Sequence, residues 1–122
     1  MLIIDANVVL RFLLQDHELS EKANEIILNN QVFIFNEVLA EIVYVLQKVY
    51  HIERSEIKDG LIQFIENDSV QVHDIKVCIV ALKTYCDNNI DFVDALLFAQ
   101  RKINKKQVAT FDKRLNRLLV TV

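Results

Sequence analysis

The stretch Leu2-Ile3-Ile4-Asp5-Ala6-Asn7 stands at the start of the chain. It is a short apolar run that leads directly into a carboxylate and then an amide. A run that is apolar on both faces and too short for a helix predicts a buried strand. Open α/β sheets bind ligands in the crevice at the carboxyl ends of their parallel strands. Asp5 is therefore expected to end this strand and to point into such a crevice.

Apolar periodicity divides the chain into alternating strands and helices. Strands are expected at residues 2–5, 32–35, 70–72, 107–110 and 118–122. Helices are expected at about 8–15, 21–29, 36–50, 55–67, 74–87 and 91–103, with a helical turn at 113–117. Side chains that can accept backbone N–H groups predict helix caps at Asn7, Ser20, Ser55, Asp74 and Asp91. This alternation predicts an α/β fold with a largely parallel sheet, in a single domain over residues 1–122.

Composition limits the possible classes of protein. The chain has 122 residues, 52% of them hydrophobic, so it is long and apolar enough to bury a core. Its formal charge of −3 provides no global basic field for nucleic acid, so any such role must rest on a local patch. No apolar run reaches transmembrane length and no signal pattern precedes the first strand, so a soluble cytoplasmic protein is expected. Cys78 and Cys86 share one helical face and are expected to be buried and reduced.

Four acidic residues stand in apolar surroundings, namely Asp5, Glu41, Asp94 and Asp112. Each of these acids could instead have a purely structural role. For Asp94 that structural explanation is weak. Asp5 and Asp112 can cap the helices that follow them, and Glu41 can reach solvent from the rim of its helix's apolar stripe. Asp91 and Asp94 can form a capping box. That explains Asp91, but Asp94 lies in a helix expected to be apolar on all sides and central, where an unpaired carboxylate costs several kcal/mol.

A cluster of carboxylates is unfavourable unless a cation neutralises it. Ligands that are all oxygen suit Mg²⁺ or Mn²⁺ rather than zinc. The three histidines, His17, His51 and His73, are scattered away from these acids. The sequence contains no nucleophile elbow and no phosphate-binding glycine loop. A divalent-metal site built from the four acids is therefore the leading interpretation.

Half of the basic residues fall within one short segment near the C-terminus. They are Arg101, Lys102, Lys105, Lys106, Lys113, Arg114 and Arg117. A local basic strip beside an acidic crevice suits a phosphate-backbone substrate. The alternative is an ordinary solvated helix end, because cations are favoured at helix C-termini.

Four segments, in order, resemble the PIN domain family. They are Ile-Ile-Asp-Ala-Asn (3–7), Leu-Ala-Glu-Ile-Val-Tyr-Val-Leu (39–46), Asp-Phe-Val-Asp-Ala-Leu (91–96) and Ala-Thr-Phe-Asp (109–112). The resemblance covers the whole chain, and its compact single-domain form is similar to the VapC-type toxins of bacterial toxin–antitoxin pairs. One position departs from the family, which often has Thr or Ser where this chain has Ala6. That departure is expected to affect only the fine positioning of groups in the site and not the activity.

The resemblance implies a three-layer α/β/α fold with a central parallel sheet. It implies Asp5, Glu41, Asp94 and Asp112 as the catalytic and metal-binding quartet, with Asn7 and Thr110 as polar supports. Asp91 is expected to support the site as the cap beside Asp94. The implied activity is Mg²⁺- or Mn²⁺-dependent RNA hydrolysis that leaves a 5′-phosphate. Basic residues around Arg114 are expected to position the RNA, with Arg101 and Lys113 as further candidates.

The resemblance also implies a homodimer and a small antitoxin that occupies the site. Two other functions are weighed against this one. A non-catalytic PIN-like module for protein interaction would not need the intact acids. A phosphatase with Asp5 as nucleophile fits poorly, because such enzymes usually need a second carboxylate two residues on, where this chain has Asn7.

Overall fold

A computed structural model describes residues 1–15 and 18–122. Asp16 and His17 are outside the described residues. The expectation that His17 stands apart from the acids therefore stays a prediction. The strands are β1 (Leu2–Ile3), β2 (Val32–Ile34) and β3 (Val70–Val72). The helices are α1 (Ala6–Leu14), α2 (Ser20–Leu28), α3 (Asn36–Lys48), α4 (Arg54–Ile65), α5 (Ile75–Asn88), α6 (Phe92–Asn104) and α7 (Lys113–Leu119).

The three strands form one parallel sheet in the order β1-β2-β3. Val32 of β2 pairs with Leu2 on one side and with Val70 on the other, so β2 is the central strand. Parallel strands need helical crossovers, and the helices between them supply those connections. The carboxyl ends of all three strands therefore meet at one edge, where Asp5 follows β1.

The first strand is not buried on both faces, as its sequence predicted. Ile4 is buried, but Leu2 and Ile3 are 41% and 61% exposed. The physical reason is the strand order, because β1 is an edge strand of the described sheet. Apolarity alone does not distinguish an edge strand from a central one.

One hydrophobic core joins the sheet to the helices. It includes Ile4, Val32 and Ile34 of the sheet region and buried side chains from α1, α3, α4, α5 and α6. The α/β prediction is therefore correct. No helix in the described part of the chain is both long and apolar enough to span a membrane.

The two C-terminal strands predicted at 107–110 and 118–122 are wrong. Residues 107–112 form no regular element, and α7 extends to Leu119 in place of the predicted short turn. Asp112 starts this helix by accepting a hydrogen bond from the Leu115 N–H, with an Oδ1–N distance of 2.8 Å. Leu115 is fully buried and Leu118 packs against the core, so helical spacing here buries the apolar side chains.

Several predicted helix starts are shifted. Asp5, not Asn7, caps α1, and Ser20 and Ser55 lie inside their helices rather than before them. The predicted cap at Asp74 is correct, since its side chain accepts from the Val77 N–H at 3.2 Å. Asp91 does occupy the cap position of α6, but its side chain makes no capping hydrogen bond.

Helix α6 is not buried on all sides. Phe92, Ala95, Phe98 and Ala99 are buried, whereas Val93 is 54% exposed. Apolar composition around the whole helix misled the prediction, because α6 packs mainly on α5 and also contacts α3 and α7.

Both cysteines are free thiols. Cys78 is buried, and this burial raises the pKa of its thiol to about 11. Cys86 is only partly buried. The expectation of reduced cysteines is correct, and the expectation of full burial holds for Cys78 alone.

Candidate active site

Asp94 lies in the first turn of α6 and is partly buried. Burial raises the pKa of the Asp94 carboxyl, and the negative charges of Asp112 and Asp91 raise it further. Three carboxylates are therefore close enough to interact electrostatically. Like charges gathered in this way favour a proton or a bound cation.

Asp91 and Asp94 line a cleft of about 420 Å³ between α3 and α6. Tyr44, Gln47 and Lys48 of α3 line its other side. At its base the Tyr85 hydroxyl donates a hydrogen bond of 2.6 Å to Gln47 Oε1. The cleft thus has fixed polar groups beside two carboxylates. It also presents the aromatic ring of Tyr44, which is 62% exposed.

Asp112 is held at the start of α7 by its neighbours. The Asp112 N–H donates to Thr110 Oγ1 at 3.0 Å, and Asn116 Nδ2 donates to the Thr110 carbonyl at 2.9 Å. Thr110 therefore fixes the backbone that carries Asp112. One Asp112 oxygen caps α7, which leaves its second oxygen available.

Asp5 and Glu41 occupy different places. Asp5 Oδ1 accepts a hydrogen bond of 3.1 Å from the Val8 N–H, and Asp5 lines a separate cleft with Ile3 and Val38. Glu41 is exposed on α3, outside the lining of the Asp94 cleft. Asn7 is exposed in the first turn of α1. The structural alternative for Asp5, a helix cap, is thus present in the fold.

The basic candidates are spread along α6 and α7. Arg114 Nη1 donates to the Asn89 carbonyl at 3.2 Å, which places it at the α5–α6 connection near Asp91. Lys113 is the exposed first residue of α7. Arg101 Nη1 donates to the Lys105 carbonyl at 3.4 Å, at the far end of α6. Arg101 therefore binds its own helix terminus, as its structural alternative proposed.

Comparison with known proteins adds to this geometry. A family model for the PIN domain matches residues 2–119. The chain belongs to the PIN domain family. It is similar to a VapC ribonuclease from Aquifex aeolicus, with 29% identity over 125 residues that span 97% of this chain and 92% of that protein. No solved structure matches it significantly.

Membership in the family confirms the expected three-layer α/β/α class for this PIN domain. The short parallel sheet and the seven helices found in the described residues agree with it.

The donor chemistry of this PIN domain suits Mg²⁺ or Mn²⁺, because its candidate ligands are all carboxylates. Mutual repulsion at Asp94, Asp91 and Asp112 is the electrostatic state that a cation relieves. Within residues 1–15 and 18–122, however, no three or more His, Cys, Asp or Glu side chains are grouped as ready metal ligands. Carboxylate oxygens suit such an ion, but a site for it would require these side chains to come closer together.

Sequence reasoning missed Tyr44 and Gln47 as parts of this PIN domain's cleft. Tyr44 stands between the apolar residues Val43 and Val45, and no motif in the sequence assigned it a role. The available signal was helical phase, because Tyr44 falls on the side of α3 that also carries exposed Glu41 and Lys48.

Proposed function

We propose that this PIN domain is a metal-dependent endoribonuclease that hydrolyses RNA phosphodiesters as the toxin of a toxin–antitoxin pair. The observation that carries the proposal is Asp94, a partly buried carboxylate that is coupled to Asp91 and Asp112 beside an open cleft. Similarity to a VapC ribonuclease supports RNA as the substrate.

In this proposal Asp5, Glu41, Asp94 and Asp112 would hold Mg²⁺ or Mn²⁺, which requires Asp5 and Glu41 to approach Asp94. When bound, such an ion neutralises clustered carboxylates and stabilises negative charge on phosphate oxygens. Hydrolysis adds water across one P–O bond and leaves a 5′-phosphate and a 3′-hydroxyl.

The protein's own groups position the reactants. Thr110 holds the backbone at Asp112, and Asn7 is a polar support beside Asp5. Arg114 and Lys113 at the start of α7 would contact the RNA backbone, with Arg101 as a more distant contact. Asp91 supports the site through its charge beside Asp94 rather than as a bonded cap.

The decisive experiment is cleavage of a generic RNA in the presence of Mn²⁺. Asp94→Asn should reduce the rate at least about a hundredfold, the scale of losing an essential proton-handling or charged group. Asp87→Asn, at an exposed position on α5, is the matched control and should cleave like the parent. Normal cleavage by Asp94→Asn would mean that the acidic quartet is misassigned.

A second function, a non-catalytic interaction module, is favoured by one observation. The described acids are not grouped as ready metal ligands. Calorimetric titration with Mn²⁺ separates the two functions, because an interaction module should show no specific uptake. Specific uptake that is lost in Asp94→Asn would favour the nuclease.

Toxin function implies two protein partners, a second copy of this chain and a small antitoxin, in the cytoplasm. The antitoxin is proposed to insert an Arg or Lys among the acids and so replace the charge of the metal. Expression of the chain alone should arrest growth, and coexpression with the antitoxin should restore it.

A further inference from the structure

An aromatic cluster lies at the carboxyl edge of the sheet, apart from the Asp94 cleft. Phe33 belongs to β2, Phe35 follows β2, and His73 follows β3. The ring centroid of Phe33 lies 5.5 Å from Phe35 and 5.0 Å from His73, both edge-on. Phe35 and His73 are 5.4 Å apart with an interplanar angle of 32°. Phe33 thus supports two rings that are inclined only moderately to each other.

The two outer rings of this cluster face solvent. Phe35 is 36% exposed and His73 is also exposed, whereas Phe33 is partly buried. The neighbouring residues Ile34 and Val32 are fully buried on the opposite face of β2. Exposed aromatic rings held in place by a third ring provide a rigid surface that can stack on a planar ligand.

Three lysines lie on the side of this surface that carries His73. Asn104 Nδ2 lies 3.3 Å from Asp74 Oδ2, which brings the C-terminal end of α6 beside the residue that follows His73. The Val77 N–H lowers the pKa of the Asp74 carboxyl, the Asn104 side chain lowers it further, and the charge of Lys76 makes a smaller contribution in the same direction. Lys105 and Lys106 directly follow Asn104.

The one acid among these lysines is already engaged. Asp74 caps α5 through Val77 and accepts from Asn104, so its carboxylate is satisfied locally. The ammonium groups of Lys76 and Lys106 are therefore left to bind an external anion. Lys105 Nζ donates weakly to the Lys102 carbonyl, at 3.4 Å, which keeps a third ammonium at the same helix end.

We propose that Phe33, Phe35 and His73, flanked by Lys76, Lys105 and Lys106, form a platform that binds single-stranded RNA. Unpaired bases stack on Phe35 and His73, and the lysines contact the phosphates between them. The identification of the nucleic acid as RNA rests on the proposed function. Lysine is depleted at protein–protein interfaces, so the same patch is a poorer surface for a second copy of the chain.

The platform lies at a distance from Asp94, although Asp5 follows β1 at the same edge of the sheet. Asn104 lies ten residues after Asp94, or about 15 Å along α6 at 1.5 Å per residue. Bases stacked on the platform therefore lie away from Asp94. The platform should favour longer single strands over short ones without a strict sequence preference, because every base has a face that can stack.

The test measures binding of a fluorescent oligouridylate by anisotropy, with chelator present and in the Asp94→Asn background, so that no cleavage occurs. Phe35→Leu keeps an apolar side chain but removes the ring, and it should weaken binding about five- to a hundredfold. Phe35→Trp should retain binding. Tyr50→Ala is the control, since Tyr50 is 40% exposed beyond the opposite end of α3 and should bind like the parent.

Salt dependence tests the lysines separately. Lys106→Gln should lower the slope of log affinity against log salt by about 0.7, the contribution of one phosphate contact to a single strand. An unchanged slope together with unchanged binding by Phe35→Leu would overturn the platform. So would a dimer that Phe35→Leu dissociates while RNA binding is unaffected.

Failure of the platform and failure of the proposed function are distinguishable. If the parent cleaves RNA and Phe35→Leu binds and cleaves equally well, the platform is wrong and the nuclease proposal stands. If binding depends on Phe35 but no metal supports cleavage by the parent, the platform stands and the nuclease proposal fails.

Discussion

Four aspartates hold equivalent positions immediately before helices, and they are used differently. Asp5, Asp74 and Asp112 each accept a hydrogen bond from the N–H three residues on. Asp91 has the same extended backbone but makes no such bond. Its carboxylate lines the cleft and adds negative charge beside Asp94. At the scale of single residues, the position before a helix does not by itself establish capping.

This difference has a measurable consequence for stability. Asp74→Ala should lower the free energy of unfolding by about 1 kcal/mol, because a bonded cap is lost. Asp91→Ala should lower it by clearly less, since no such bond exists to lose. Urea denaturation of both variants at neutral pH measures the difference. Equal losses would show that Asp91 caps α6 in solution.

A second residue-scale prediction follows from the raised pKa of Asp94, for which burial is the largest cause. Below the ordinary value of 3.8, Asp94 is protonated in both the folded and unfolded chain and its ionisation has no effect on stability. Above the raised value it is ionised in both, and the folded state bears the cost of a partly buried charge.

Asp94→Asn removes that cost, so without metal this variant should be more stable than the parent at neutral pH. The advantage should shrink as the pH falls through the raised pKa and disappear near 3.8. Chemical denaturation from pH 3 to 7 follows it, with Asp87→Asn as the surface control. An advantage that grows on acidification would contradict the assigned direction.

At the scale of elements, Arg54 fixes the connection that presents Asp91 and Asp94. Its Nη1 donates to the carbonyls of Tyr85 and Ile90, both at 2.7 Å. Its guanidinium also lies 4.2 Å from the centroid of the Tyr85 ring. Arg54, at the first position of α4, therefore ties the end of α5 to the start of α6.

Arg54→Lys should destabilise the fold by about 2 kcal/mol, because a lysine cannot reproduce the planar stacking or the paired charge-assisted bonds. It should also slow RNA cleavage, since the turn before α6 loses its anchor. Arg117→Lys, at an exposed position on α7, is the matched control. A variant with parental stability and activity would show that the clamp is dispensable.

A helix or strand could be predicted from the sequence wherever the local residue pattern favours the same structure as the tertiary packing. The helical stripe of α3 and the cap of α5 by Asp74 follow from residue spacing and side-chain chemistry. The segment 107–110 reads as a strand because it is apolar and β-branched at Val108 and Thr110, yet it pairs with no strand in the described structure. Strand formation depends on a partner, which the segment's own sequence does not specify.

The individual acids of the candidate site could be predicted from the sequence, but their spatial arrangement could not, because they are far apart in the chain. Asp5, Glu41, Asp94 and Asp112 could be singled out because each interrupts an apolar pattern. Their mutual distances depend on tertiary packing, so sequence could not show that Asp94 is coupled to Asp91 and Asp112. The Phe33, Phe35 and His73 cluster was missed because its rings come from two strands far apart in the chain.

At the scale of the whole molecule, positive and negative charges lie at different places on the surface, although the net charge is small. The chain carries a formal charge of −3, while four of its basic residues, Arg101, Lys102, Lys105 and Lys106, lie at or just beyond the C-terminal end of α6. The repelling carboxylates at the N-terminal end of α6 therefore stand opposite lysines at its C-terminal end. Such a molecule can attract an RNA backbone at one place and a divalent cation at another.

Metal binding should accordingly stabilise the entire fold. An ion that binds the folded chain alone raises its stability by about 2.7 kcal/mol at a hundredfold excess over Kd. Thermal melts with Mn²⁺ and with chelator measure this increase, with K⁺ at equal ionic strength as the control for general screening. Asp94→Asn should lose most of the increase, because the carboxylate that the cation would neutralise has been removed. If Mn²⁺ raises the melting temperature no more than K⁺ does, or raises it equally in Asp94→Asn, the acids around Asp94 do not form a divalent-metal site.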